Sequence, residues 1–458
     1  MEEVISLAKR RGFFYPGSEL YGGLANTYDY GPVGTELLRN IKNIWWKTFV
    51  QQRDDIVGVD TSLISHRKIW EASGHVSGFA DSMIDCKTCK SRYRADHLIE
   101  DYFEKKNEPQ KVEGLSTEQF DKIISDHSDL TCPKCGKHNW TDTKKFNQLF
   151  PVQLGIVVGE QSLAYLRGET AQGMFVAFKN VIDSTRVKLP FGIAQIGKSF
   201  RNEITLGNSI FRTIEFEQAE LEYFFNPETN KWEDLYESWK KSVHEFVTKT
   251  LGVQEENLRW RAHTDEERSF YSKRTEDLEY KFPFGFKELW GLAYRTDYDL
   301  MQHTKYSKKE LFILDPTTNK KVVPHVIEPA VGITRILLML LSDAYTKDGE
   351  RVFLKLSPRI APYKAAIFPL VANKENLVAN AREIYNNLKK DYMVAWDERG
   401  NIGKRYASQD EVGTPFCFTV DYQTLEDKTV TVRHRDTAQQ ERIPVAKIQQ
   451  FLYDAINS

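Results

Sequence analysis

Residues 191 to 225, FGIAQIGKSFRNEITLGNSIFRTIEFEQAELEYFF, constrain this chain more than any other stretch, because two period-two runs flank a turn signal. In the first run Gln195, Ser199, Arg201 and Glu203 share one side, while Ala194, Ile196 and Phe200 share the other. Gly207-Asn208-Ser209 marks the reversal, since Gly and Asn tolerate the positive φ that a turn needs. The second run puts Arg212, Phe216, Gln218 and Glu220 on one face. A long β-hairpin is therefore expected, with arginines, a ring and carboxylates along one cleft, as an anionic, aromatic ligand such as a nucleotide requires. A solvated strand face would show the same alternation, so the pattern alone leaves both open. Gly192, Gly197, Lys198 and Ser199 also satisfy the G-x-x-x-x-G-K-S spacing of a phosphate loop. That motif must feed a helix, whereas Ile193 to Ile196 read as strand, so a phosphate loop is not expected here.

The chain has 458 residues, 41% hydrophobic and 28% charged, enough for several buried cores, and no apolar run approaches the length of a membrane span. Its start, MEEVISLAKRRGFF, is acidic and lacks an apolar leader, so a cytoplasmic location and no membrane partner are expected. Net charge is −2, but residues 351 to 458 carry 16 Lys and Arg against 13 Asp and Glu. That mild excess permits an RNA partner for the C-terminal portion without demanding one.

Toward the N-terminus, Pro32 opens a helical pattern in which Leu37, Leu38, Ile41, Ile44, Trp45 and Phe49 form an apolar stripe. Trp46 falls about 100° away from Trp45, and either a subunit interface or wide burial within one chain accounts for it. Asp55 to Ser65 reads as one strand. Cys86-x-x-Cys89 and Cys132-x-x-Cys135 make two knuckles whose four thiolates suit a tetrahedral zinc site; reduced cysteines without metal are the alternative. Residues 90 to 131 between them are expected to form a charged, helix-containing insertion.

Glu169 precedes a helix bearing Met174, Phe178 and Ile182, where a carboxylate either complements the helix dipole or binds a cation. Trp232, Leu235, Trp239, Val243 and Phe246 mark an amphipathic core helix. Residues 282 to 303 read as a sheet hairpin followed by a polar turn, with Glu288, Arg295 and His303 as its chemically interesting members. Strand VVPHVIEP then leads into GITRILLMLLSDAY, a helix apolar all round; Arg335 in its first turn must meet an anion, from protein or ligand, and a ligand phosphate is the favoured of the two. Beyond Leu356 to Arg359, strand-like AAIFPL, MVAWDE, PFCFTVD and TVTVRHR alternate with helical segments, which reads as a compact α/β domain with Cys417 buried.

FRNE at Phe200 to Glu203, IFRTIEFEQAE and EPAVGITR resemble motifs 2 and 3 of class II aminoacyl-tRNA synthetases. YDYGPVGTELLRN, WEASGH, RGETAQG, QIGKSFRNEIT, FPFGFKELWG and GKRYASQDEVGTP extend the resemblance, over nearly the whole chain, to the glycyl-tRNA synthetases of homodimeric type. The resemblance implies an α+β fold: a six-stranded antiparallel class II sheet flanked by helices over residues 1–350, and an anticodon-binding α/β domain over 351–458. Insertions are expected at about 84–145, around the cysteine knuckles, and at about 226–280. It further implies a homodimer through the Pro32 to Gln52 helix, and ATP-dependent, Mg2+-assisted activation of glycine followed by transfer to the 3′ end of tRNA(Gly).

The resemblance also implies residue roles. Arg201, Arg335 and Glu203 would be catalytic, Arg201 at the α-phosphate. ATP would meet Arg201, Asn202, Glu203, Phe211, Arg212, Phe216, Glu288, Leu289, Gly332 and Arg335, with adenine on Phe216, the triphosphate on Arg212 and Arg335, and Glu203 and Glu288 on the adenine or metal side. Glycine would meet Arg94, Glu169, Phe216, Gln218, Glu220, Arg295, Glu328 and Ala330, its ammonium held by the three glutamates and larger amino acids excluded by crowding. The sequence departs from the family pattern at Ser62, Leu206, Gly207, Ile214, Gly168 and Ala330, thinning the acceptor-end contacts and removing one polar contact to glycine. A synthetase for another small amino acid, or a non-catalytic synthetase-like RNA-binding protein, are the competing readings.

Overall fold

A computed structural model describes the chain except residues 109, 111, 113, 114, 156–161, 204–206, 266, 269, 270, 315–318 and 458. Leu206 lies outside the described residues.

The hairpin expected between 191 and 225 is the centre of a seven-stranded sheet. In chain order its strands are β1 (Ile56–Gly58), β2 (Phe191–Phe200), β3 (Glu215–Phe225), β4 (Leu258–Ala262), β5 (Arg274–Phe282), β6 (Gly285–Thr296) and β7 (His325–Gly332). They lie in the order β4-β5-β6-β7-β3-β2-β1. The neighbouring pairs from β4 to β2 are antiparallel, giving the six strands expected, and β1 adds a seventh, parallel to β2. Gly192, Gly197, Lys198 and Ser199 all fall inside β2, so no phosphate loop forms there.

Period two then divides the sheet between two cores. Ala219, Leu221 and Tyr223 of β3 enter the main core together with the helices α1 (Pro32–Trp46) and α5 (Ile333–Ala344). Phe224 packs on the opposite side against Met174, Phe175 and Phe178 of α2 (Ala171–Ser184). The helix α3 (Trp232–Glu245) adds Tyr236, Trp239 and Val243 to the main core, as its aromatic stripe predicts. Within the expected insertion at 226–280, α3, β4 and most of β5 join this sheet and its core.

Several expectations change. Asp55 to Ser65 is not one strand: β1 ends at Gly58, and a second strand, Ile64–His66, joins a different three-stranded sheet. Trp46 is half-buried against its own chain, its ring lying where a Cβ on Gly58 would come within 2.3 Å. The polar turn after β6 is instead a helix, α4 (Tyr298–Ser307), burying Asp299, Leu300 and His303. In the hairpin loop the positive φ falls on Ser209, at 57°, and not on Gly207 or Asn208. Gly207 is needed for space: a Cβ there would sit 2.6 Å from that of Arg212.

Residues 80 to 147 carry their own small core, with Ile84, Ile99, Phe103, Phe120 and Trp140 around helices Ala95–Lys105 and Thr117–Asp126. At the C-terminal end, strands Ala365–Pro369, Val394–Trp396, Phe416–Val420, Thr429–His434 and Gln440–Pro444 form a five-stranded mixed sheet with a separate core. Cys417 is buried within it, as expected. Among the described residues no helix is long and apolar enough to cross a membrane.

Candidate functional site

The even-numbered face of β3 opens into a cavity of about 530 Å³. Phe216, Gln218 and Glu220 line it from β3, Ala330 and Gly332 from β7, and Glu288 from β6. Just past the end of β2, Arg201 and Glu203 reach it, and of the other predicted residues Phe211, Arg212, Glu169, Glu328, Arg94 and Arg335 also line it. Gln195 and Ser199, expected beside Arg201, are buried beneath the surface and do not line the cavity.

Arg201 is fixed at its root. Its Nε donates to the Gly168 carbonyl at 3.0 Å, and its guanidinium lies 5.1 Å from the Phe79 ring centre and 5.4 Å from that of Phe216. Among the described residues its terminal nitrogens have no protein acceptor, so they are available to an anion in the cavity. Arg335 sits at the mouth of α5, 3.0 Å from the Glu288 carboxylate, with its guanidinium 4.6 Å from the Phe211 ring centre. The anion demanded by the sequence is thus supplied by the protein here. The same arginine holds the Glu288 carboxyl below its usual range. Arg212 lies 4.0 Å from Glu203, and Arg94 3.1 Å from Asp81.

A second group of charges is buried. Glu220 accepts from the Thr170 N–H at 3.0 Å, from the Thr170 hydroxyl, and from Gln218 Nε2 at 2.7 Å. Burial, reinforced by Glu328 and Glu169, lifts its carboxyl to about 8. Glu328 is also raised by burial, although the Arg295 guanidinium hydrogen-bonds it. Glu169 goes the other way: against its own burial, His75 at 3.2 Å pulls its carboxyl down, helped by Arg295 and by a bond from Gln172 Nε2. A carboxylate group poised between these extremes is suited to an ammonium ion, which needs anions but cannot share space with a fixed cation.

Three predicted contacts do not reach the cavity. Leu289 points into the main core, and Asn202 is anchored by its backbone N–H to the Gln148 carbonyl. Arg295 is fully buried behind Glu328, with Nε 2.8 Å from Asp299 Oδ2 and its guanidinium 4.0 Å from the Tyr271 ring centre. Conversely, Asp81, Gln148, His263 and Asp277 line the cavity without having been anticipated. His263 Nε2 is 2.7 Å from Asp277 Oδ2, and burial raises the Asp277 carboxyl. No periodic signal marks these residues: His263 follows the edge strand β4, Asp277 lies on its neighbour β5, and Asp81 and Gln148 flank the cysteine-bearing insertion.

Away from the cavity, the four cysteine sulfurs lie within 4.8 Å of one another, Cys86 and Cys135 at 3.6 Å and Cys89 and Cys132 at 3.6 Å. A disulfide needs about 2.05 Å, so these are free thiols gathered as a group that could hold a metal ion.

Comparison with known families follows the same divisions. Residues 81–121 match the glycyl-tRNA synthetase insertion domain 1, residues 159–344 the tRNA synthetase class II core domain (G, H, P, S and T), and residues 364–454 an anticodon binding domain. A glycine–tRNA ligase of Alkaliphilus oremlandii is 50% identical over 462 residues, covering 100% of this chain and 98% of that protein. One from Clostridium tetani is 51% identical over 463 residues, with the same shares covered. One from Geobacillus thermodenitrificans is 51% identical, over 99% of this chain and 97% of its own length. With half of its residues shared along its entire length, the chain belongs to the glycine–tRNA ligase family of class II aminoacyl-tRNA synthetases.

Proposed function

We propose that this chain condenses glycine with ATP to glycyl-adenylate and pyrophosphate, and then passes the glycyl group to the 3′-terminal adenosine of tRNA(Gly). One observation carries the reading to residues: a single cavity presents both Arg201, whose terminal nitrogens meet no acceptor among the described residues, and buried carboxyls suited to an ammonium. A zwitterion held by its ammonium at Glu169, Glu220 and Glu328 leaves its own carboxylate free as the nucleophile. Arg201 then stabilises charge on the α-phosphate as the bond to the β-phosphate breaks, a task for a fixed guanidinium and not for a general base.

Phe216 offers its face to adenine, while Arg212 and Arg335 hold the outer phosphates, with Phe211, Gly332 and the Asn202 segment shaping that side. Arg335 must release Glu288 to do so. Glu288 and Glu203 are the carboxylates that would hold Mg2+, which supplies charge neutralisation along the triphosphate. Arg295 acts indirectly by fixing Glu328, Ala330 limits room beside it, and Arg94 stands on the acceptor-end side with Asp81.

For the cysteine group, zinc is the fitting occupant. With Zn–S bonds of about 2.3 Å, tetrahedral thiolates stand about 3.8 Å apart, close to the 3.6 Å spacings seen. The C-terminal domain would read the tRNA anticodon. A homodimer through the region of α1 belongs to the same reading, and the exposed Leu20 and Tyr21 shortly before that helix are apolar surface that a second copy could cover. Sedimentation equilibrium at twice the 53.2 kDa chain mass supports it, and a monomer at micromolar concentration refutes it.

Amino-acid-dependent exchange of labelled pyrophosphate into ATP, run with all twenty amino acids, tests the activity. Exchange led by glycine is expected. Exchange led by alanine, serine, threonine or proline would overturn the glycine assignment, and none at all would leave a non-catalytic RNA-binding role.

A further inference from the structure

The face of β3 that lines the cavity continues inward past Glu220 to Glu222, a side chain with no exposure and, among the described residues, no hydrogen-bond partner on either carboxyl oxygen. The register that pairs Glu220 with Ala330 and Tyr223 with Ile327 sets Glu222 opposite Glu328, where facing Cβ atoms are about 5 Å apart. On its other flank Ile193 of β2 offers no polar group.

The charged and titratable groups around this layer come from every neighbouring element. β3 gives Glu220 and Glu222, β7 gives Glu328, and β6 gives Arg295. Asp299 and His303 come from α4, and Glu169 and Arg167 from the segment before α2. His75 stands against Glu169, and Arg201 lies on the cavity side. Among the described residues five carboxyls thus face three arginines, with His75 beside Glu169 alone, and one of the arginines, Arg167, is spent on the Thr61 and Lys198 carbonyls. A buried layer cannot carry such an excess of anion, so it must hold protons or a cation. Among the described residues only the four cysteines converge as a metal-binding group, which leaves protons.

We propose that this layer is proton-loaded when the pocket is empty, that Glu222 keeps its proton throughout as a neutral positioning residue, and that an incoming ammonium displaces one proton from Glu220. The Glu220 O–H bond breaks, its proton goes to solvent, and the ammonium keeps all three of its own. The division of labour follows from donors: three protein donors already face Glu220 and stabilise its anion, whereas none faces Glu222. The directions agree, since burial lifts Glu220 to about 8, and burial with Glu328 opposite drives Glu222 well above the carboxylate range.

The inference rests on reading the cavity as the amino-acid site, and its test separates the two. Calorimetric titration of the full chain with glycine at pH 7, in two buffers of different ionisation enthalpy, should show about one proton released per glycine. The KM for glycine in pyrophosphate exchange should fall about tenfold per pH unit from pH 6 and level off near pH 8, because the protonated carboxyl excludes the ammonium. Glu222→Gln, which fixes the neutral state, should still release that proton. Exchange without proton release, or loss of the release in Glu222→Gln, overturns this inference alone; absence of glycine-dependent exchange overturns the site reading and this inference with it.

Discussion

Arg201→Ala separates chemistry from folding more cleanly than any other change in this cavity. The side chain gives the fold one charged hydrogen bond, to the Gly168 carbonyl, and ring contacts at 5.1 Å and 5.4 Å. A charge-assisted bond is worth about 1.5 kcal/mol and each partly exposed cation–π contact about 0.5 kcal/mol, so truncation should cost about 2.5 kcal/mol of stability. Its terminal nitrogens, which serve no protein acceptor among the described residues, are where the loss should concentrate. Removing one preorganised donor to developing charge lowers rate by about 10² to 10³, or roughly 3 to 4 kcal/mol. Glycine-dependent pyrophosphate exchange should therefore fall by that factor, while the thermal midpoint drops by only a few degrees. Arg201→Lys keeps the charge but not the planar fork between Phe79 and Phe216, and should recover little of the rate. A folded Arg201→Ala variant exchanging within tenfold of the parent would refute the assigned role.

Three further outcomes follow from the packing. Arg295→Met leaves Asp299 and Glu328 without their shared cation and should destabilise the chain by about 3 to 5 kcal/mol in urea unfolding; a loss below about 1 kcal/mol would mean that the layer is not charge-balanced through Arg295. Removing metal with a strong chelator, or Cys89→Ser, should unfold the 80 to 147 region selectively, seen as new proteolytic cleavage there with exchange-active protein losing about one zinc per chain; a folded, zinc-free parent would exclude structural zinc. Gly58→Ala drives a methyl to 2.3 Å from the Trp46 ring and should cost about 1 to 3 kcal/mol by thermal unfolding, whereas a neutral effect would show that Trp46 is free to move off its own chain.

Legibility in this sequence followed the physics of each element. The hairpin could be read because a strand with one buried and one functional face must alternate, and Arg212, Phe216, Gln218 and Glu220 stand out against Ala219 and Leu221. Arg335 could be read as an anomaly in an apolar helix, and its ion pair with Glu288 fits that demand. Helix α4 escaped notice because its buried face is polar. Asp299 and His303 are inward because Arg295 and Gln172 bind them, and a periodicity counted on apolar residues cannot register a face built from ion pairs. The division of Asp55 to Ser65 into two strands was hidden likewise, since an unbroken β-like run does not state which sheet each half joins. Asp81, Gln148 and Asp277 reach the cavity only through topology, from segments with no local reason to bear a ligand group. Sequence therefore exposes a charge where it violates its own element's pattern, and hides it where its partner comes from another. Glu222 belongs to the second case: it sits in pattern on β3, and only the register of β7 reveals that its neighbour is another carboxyl, which is the ground for the neutral positioning role proposed for it beside Glu220.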